Sequence, residues 1–193
     1  MSGTSTPPPA PHSSLERLRA LLLDEGGLMA SLVDPAGAGP RALAGEDHGL
    51  ESPARIAACG PRAEGAREDY ELLIEAIYEG YLLHYGTPRV ARTSEADLSL
   101  LAGDRLYALG LARLVSLGDT AAVAELADTI ALSALAHAAN KLELAGAVWA
   151  AGARAVGWGS SEAHRRAKDL ALAGAPEAIE AMRTSAAGAP ASP

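Results

Sequence analysis

The chain has 193 residues, 49% of them hydrophobic and 21% charged. At ~100 to 200 residues per domain this length fits one domain, with or without a tail, and the composition excludes general disorder. A net charge of -8 argues against a nucleic-acid groove or an anionic membrane surface as partner, because both are bound through clustered Lys and Arg. The acidity is concentrated, with nine acids against four bases between residues 68 and 119. The single cysteine, Cys59, excludes an intrachain disulfide and a multi-cysteine zinc site and fits a reducing compartment. MSGTSTPPPAPHSS at the start has neither a basic region nor an apolar run, and the twelve uncharged residues from Thr129 to Asn140 fall short of the ~20 a spanning helix needs. The expectation is a soluble, cytoplasmic chain without membrane insertion.

Eight of the twelve prolines precede residue 62, and Phe is absent, with all five Tyr and both Trp between Tyr70 and Trp158. Residues 1–67 therefore read as a low-complexity segment with a disordered tail and a mobile linker from Asp34 to Arg67. Within that segment Ser13-Ser14-Leu15-Glu16 is a capping box opening one short helix near 14–24 that Gly26-Gly27 interrupts, and 53–58 allows a further turn of helix. From Asp69 to Tyr85, Tyr70, Leu73, Ile74, Ile77, Tyr78, Tyr81 and Tyr85 recur at helical spacing, with Glu71, Glu75 and Glu79 on another side as a solvent-exposed rim. Gly86-Thr87-Pro88 ends this helix. A second runs from about Ser94 to Gly118, and a third, capped by Asp119 or Thr120, reaches Ala139. Leu144, Val148, Gly152 and Val156 mark a fourth, whose many small residues allow close helix approach. Helices at Glu162–Leu172 and Pro176–Met182 complete an all-α bundle of five or six helices over 68–183, with 184–193 as a disordered tail.

Asp104 stands out. On a helical wheel it falls within the apolar stripe of Leu100, Tyr107, Leu111 and Leu114, so it is expected to be buried with a partner among Arg89, His84, His137 and the tyrosine hydroxyls. A structural hydrogen bond between helices is the favoured role over a catalytic one. Tyr78, Tyr81, Tyr85 and His84 form either plain core or a pocket lining, and His137 either a satisfied core histidine or a general base. Ser160 and Ser161, followed by Arg165 and Arg166 on the helix they open, are candidates for an anion site, although Gly and Ser at this place serve equally as a helix cap. No metal-ligand or nucleotide-binding motif occurs, so no metal or cofactor is expected.

The string EGYLLHYGTPRV followed by DLSLLAGDRLYALGLARL, within Glu79 to Leu114, resembles the helical prenyl diphosphate synthase superfamily. The pattern is carried by Leu100-Leu101-Ala102-Gly103-Asp104-Arg105-Leu106-Tyr107 and is most similar to the non-catalytic component I of two-component heptaprenyl diphosphate synthases. The resemblance covers residues 68–158. It implies an all-helical subunit that pairs with a catalytic large subunit and helps set isoprenoid product length, with Gly103 and Asp104 at helix-packing positions. Catalytic members hold magnesium diphosphate with two aspartate-rich motifs, whereas this chain has only Glu95 and Asp97 between Arg89 and Leu100, too few to clamp it. Three functions remain open at this point: a partner subunit without activity of its own, a small-ligand or isoprenoid carrier with a pocket around Asp104, or a self-associating helical protein.

Overall fold

The computed structural model describes residues 13–33 and 52–188. The expected N-terminal tail, residues 34–51 of the linker and the last five residues lie outside the described residues. Nine α-helices occur among the described residues: α1 Ser14–Glu25, α2 Gly27–Leu32, α3 Pro53–Ala58, α4 Arg67–Tyr85, α5 Ala96–Ser116, α6 Thr120–Ala138, α7 Leu142–Trp158, α8 Glu162–Leu172 and α9 Ala178–Ala187. The only β pairing among them is a single bridge between Val33 and Ala91. The fold is an all-α helical bundle.

Side-chain caps start α1, α6 and α8. The Ser13 hydroxyl accepts from the Glu16 amide while the Glu16 carboxylate accepts from the Ser13 amide, completing the capping box of α1. Asp119 caps α6 by accepting from the Ala122 amide at 2.9 Å, and the same carboxylate receives the Tyr70 hydroxyl and the Arg62 guanidinium. One residue at a tight turn thereby ties the start of α4 to the start of α6. Asn140, left-handed at φ 56°, separates α6 from α7, and Asn tolerates that conformation better than most residues.

Three groups of buried side chains fill the interior. The central one joins α3, α4, the end of α5, α6 and α7 around Ile74, Ile77, Tyr81, Leu126 and Trp149. A second seats α1 and α2 on α4 and α5 through Leu18, Leu22, Met29, Leu83 and Leu106. The third joins the end of α6 and α7 to α8 and α9 through Leu132, Leu144, Val148, Ala167 and Met182.

Two expectations about the chain ends are corrected. The described parts of the first 67 residues are not loose: Leu18, Leu22, Ala54, Ala57 and Ala63 are fully buried. Around α3 the burial is carried by Ala and Gly, which show little hydrophobic periodicity but let backbones meet. A Cβ on Gly60 would overlap the Gly157 carbonyl, and one on Gly157 would stand 2.6 Å from the Ala57 carbonyl oxygen, so α3 lies directly on the end of α7. At the other end, α9 continues beyond Met182 to Ala187, and its Ser185 bonds to His164 of α8. Residues 184–187 are thus packed helix.

Candidate functional site

α4 is the axis of the site. Its tyrosines start a connected aromatic seam: Tyr78 meets Trp149 edge-on at 5.0 Å, Tyr81 lies 5.1 Å from Trp149, and Tyr81 leads to Tyr85 at 5.6 Å. Tyr85 stacks on His137 of α6 at 4.3 Å, and the Tyr81 hydroxyl is 2.9 Å from His137 Nε2. On the α5 side His84 lies against Tyr107 at 5.3 Å. The seam runs from fully buried Trp149 to Tyr85, which is 41% exposed. Tyr81, Tyr85, His84, Tyr107 and His137 are therefore brought together in one seam. Burial, followed by neighbouring hydroxyls, pushes the Tyr81 phenol up to about 12 and Tyr107 higher still, so both are neutral donors at any physiological pH. The Tyr107 hydroxyl and the Trp149 indole N–H are buried without a hydrogen-bond partner.

Asp104 is corrected. Its side chain is 70% exposed, and its contact is His84 Nε2 at 3.4 Å. The stripe that contains it is only an edge of the buried face of α5, which consists of Ala102, Gly103, Leu106, Leu109, Gly110 and Leu114. Glycine counts for little on a hydrophobicity wheel, yet a Cβ at Gly103 would overlap the His84 ring and stand 2.9 Å from the Gly80 carbonyl oxygen. Close approach of α4 and α5 through Gly80 and Gly103 centres the buried face away from Asp104: Leu114 stays inside and Tyr107 and Leu111 pack on the core, while Leu100 is 48% exposed.

The glutamate rim is corrected in the opposite sense. Glu75 and Glu79 are fully buried, because the loop after α4 folds back over them. Glu79 Oε1 accepts from the amides of Arg89, Val90 and Ala91 at 2.8, 2.6 and 3.1 Å. Arg89 also bridges Glu79 and Glu75 and lies over the Tyr78 ring at 5.2 Å, so it serves this clamp and not Asp104. Ser52 donates to Glu75 at 3.2 Å. Burial raises the Glu75 carboxyl above its ordinary value, against the opposing pull of Arg89. Glu71 binds Arg17 of α1 at 2.6 Å.

The anion-site candidates do not converge. Ser161 caps α8 by accepting from the His164 amide, Arg165 donates back to the Ser160 carbonyl at 3.2 Å, and Arg166 faces Glu162 at 4.0 Å. Arg165 and Arg166 instead border a groove of about 620 Å³ between α6 and α8, floored by Ala131, Leu132, Leu135 and Leu172. Beneath α8 lies a network the sequence reading missed: Glu125 Oε1 is 2.6 Å from His164 Nε2, and Lys168 spans Glu125 and Asp128. Its signal was present as Glu125 interrupting the apolar stripe of α6 and as His164, Ala167 and Ala171 sharing a face of α8.

Compared with known protein families, with curated proteins and with solved structures, the chain has no significant match.

Proposed function

We propose that the chain is a non-catalytic helical subunit that docks on a second helical protein, by resemblance the catalytic large subunit of a prenyl diphosphate synthase. The observation that carries this reading is the solvent side of α6, where Ala121, Ala124, Ala127, Ala131, Leu135 and Ala138 are exposed and Asp128 is the one charged residue. The helix is long and apolar enough to cross a membrane by length and composition, and 39% of its most apolar window is buried in the bundle. An apolar helix face of this kind is what a partner helix covers. Tyr85 continues the surface toward α5, since it stacks on His137 of α6 while its neighbour His84 reaches Asp104. Leu100 and Leu101 on α5 are exposed at 48% and 55%.

The chemical side of the proposal rests on the sequence. Ionising an allylic diphosphate leaves charge on the leaving group that magnesium held by clustered carboxylates must stabilise, and no aspartate-rich motif is present. The purified chain given magnesium, an allylic diphosphate and isopentenyl diphosphate should not extend a prenyl chain. Mixed with a catalytic large subunit from the same cell it should form a heteromer, seen by light scattering, with altered activity or product length. The double variant Leu101→Asp, Leu135→Asp should abolish that heteromer while its thermal melt stays near that of the parent, both positions being exposed. Turnover by the isolated chain, or a heteromer indifferent to the double variant, would overturn the proposal.

A second reading, a small-ligand carrier, is favoured by the unmatched Tyr107 hydroxyl within the aromatic seam. An isoprenoid alcohol that raises the melting temperature of the parent but not of Tyr107→Phe would support it.

A further inference from the structure

The network under α8 extends beyond the ion pair. His164 is 3% exposed, with Nε2 at 2.6 Å from Glu125 Oε1 and Nδ1 at 2.8 Å from the Ser185 hydroxyl. A serine, an imidazole and a carboxylate thus form a chain across α9, α8 and α6. The buried part of this interface otherwise packs through apolar residues such as Ala167, Ala171, Ala178 and Met182, and a polar chain that threads such a core rigidifies it only when each member is satisfied.

The partners define the protonation state. Burial works against ionisation of Glu125, but hydrogen bonds and charge from His164 and Lys168 hold its carboxyl below the ordinary value. An ionised carboxylate only accepts, so Nε2 carries the hydrogen it donates, and in the neutral form of the ring the Nδ1 lone pair is then directed at Ser185. That is the tautomer a general base needs. Carboxylate, imidazole and hydroxyl in hydrogen-bonded sequence are recognised by geometry and roles, whatever fold they occur on.

Ser185 is only partly buried, in the last turn of α9. Its surroundings also offer a cation. The Arg154 guanidinium sits so close to Gly188 that a Cβ there would be 2.5 Å from Nη2, and Gly188 is tied to Ser185 by its amide bonding the Ser185 carbonyl. Arg154 stacks over Trp158 at 4.2 Å and has no carboxylate partner among the described residues.

We infer that Ser185 is an activated nucleophile, with His164 as its base, Glu125 as the group that positions the imidazole, and small activated carboxylic esters as the class of substrate. The Ser185 oxygen bonds to the ester carbonyl carbon as its proton passes to His164 Nδ1, and Arg154 faces the negative charge that develops on the carbonyl oxygen. The carbon–alkoxide bond then breaks, the alkoxide leaves with the proton from His164, and an acyl-serine remains. Water, deprotonated by the same nitrogen, hydrolyses the acyl-serine and restores the hydroxyl. No oxidant, metal or further reactant is required. This site is separate from the docking face proposed above, leaves the chain non-catalytic in prenyl transfer, and stands or falls independently of that reading.

The test uses the full chain with a fluorophosphonate probe and with p-nitrophenyl acetate, followed by intact mass and peptide mapping. The expected result is one phosphonyl adduct per chain, located on Ser185 and absent from Ser185→Ala, which should fold because the position is partly exposed in a helical end turn. The labelling rate should rise with pH and then level off. Arg154→Gln should slow p-nitrophenyl acetate turnover about 10-fold, and His164→Asn, checked for folding by circular dichroism, should slow labelling about 100-fold, the scale of a lost general base. No adduct, an adduct that persists in Ser185→Ala, or a rate that climbs with hydroxide without levelling would each overturn the inference.

Discussion

Glu79 on α4 and Glu125 on α6 are both buried carboxylates, and their surroundings answer the charge in different ways. Glu79 is held mainly by backbone: three successive amides of the loop after α4 converge on one oxygen, and Arg89 approaches the other. Backbone amides do not titrate, so this clamp has no acid-base partner to lose except its own carboxylate. Glu125 is held by side chains, His164 and Lys168. The first arrangement fixes a loop, whereas the second ties α6 to α8 through side chains alone. Burial of a carboxylate does not by itself identify a site; the chemistry of its donors separates a clamp from a candidate site.

The largest expected effect that would break this contrast is at Glu79. Glu79→Ala leaves three amides and a guanidinium unanswered in the interior and should cost about 3 to 5 kcal/mol in urea unfolding. A cost near that of an exposed residue would mean the loop finds other acceptors. Glu125→Ala should cost about 1.5 to 3 kcal/mol at neutral pH, the range for hydrogen bonds to charged groups. Its pH dependence sharpens the comparison. Because the folded carboxyl of Glu125 lies below its ordinary value of 4.5, its stabilisation is present above that value and is lost as pH falls through the folded one. The deficit of Glu125→Ala should therefore be largest at neutral pH and close in acid, as melts at stepped pH would reveal.

Glu75 has the opposite sign. Burial raises its folded value, so its contribution is fully present below 4.5 and declines as pH rises through the raised value. Glu75→Gln, which keeps the volume without the charge, should lie within about 1 kcal/mol of the parent, as buried ion pairs replaced by neutral groups often do. Its melting temperature relative to the parent should improve as pH rises across that window. The smallest effect belongs to Asp104→Ala, expected within about 0.5 kcal/mol because the carboxylate is exposed. A loss above 1 kcal/mol would show that its contact with His84 matters more than exposure allows.

The helices were legible where capping and large apolar residues speak together. The capping box at Ser13, the tyrosines of α4, Asp119 before α6 and Ser161 before α8 each marked an element at its observed place. The sites were harder to read, for two physical reasons. Glycine and alanine bury backbone without registering as hydrophobic, which concealed the true inner face of α5 and the contact of α3 with α7. Glutamates spaced along one side of a helix also read alike whether that side meets water or a returning loop. Only the position of Arg89, ten residues beyond Glu79, distinguishes the two, and sequence spacing does not reveal that the loop turns back. Lys168 and His164 of α8 meet Glu125 on α6, and Ser185 of α9 reaches His164, an encounter across three helices that no local pattern encodes.

The meeting of Gly60 and Gly157 backbones also sets an order of events during synthesis. α3 rests on α4 and on α7, and the α7 side does not exist until nearly a hundred residues later, which at ~5 to 20 residues per second is a wait of about 5 to 20 s. Throughout that interval Ala54, Ala57 and Ala63 have α4 but no α7 to lie against. α1 needs only α4 and α5 and can settle sooner. A nascent chain released before residue 157 would therefore carry α3 with one side of its seat missing, and protease sensitivity confined to the stretch around Gly60 would distinguish such truncated chains from the finished protein.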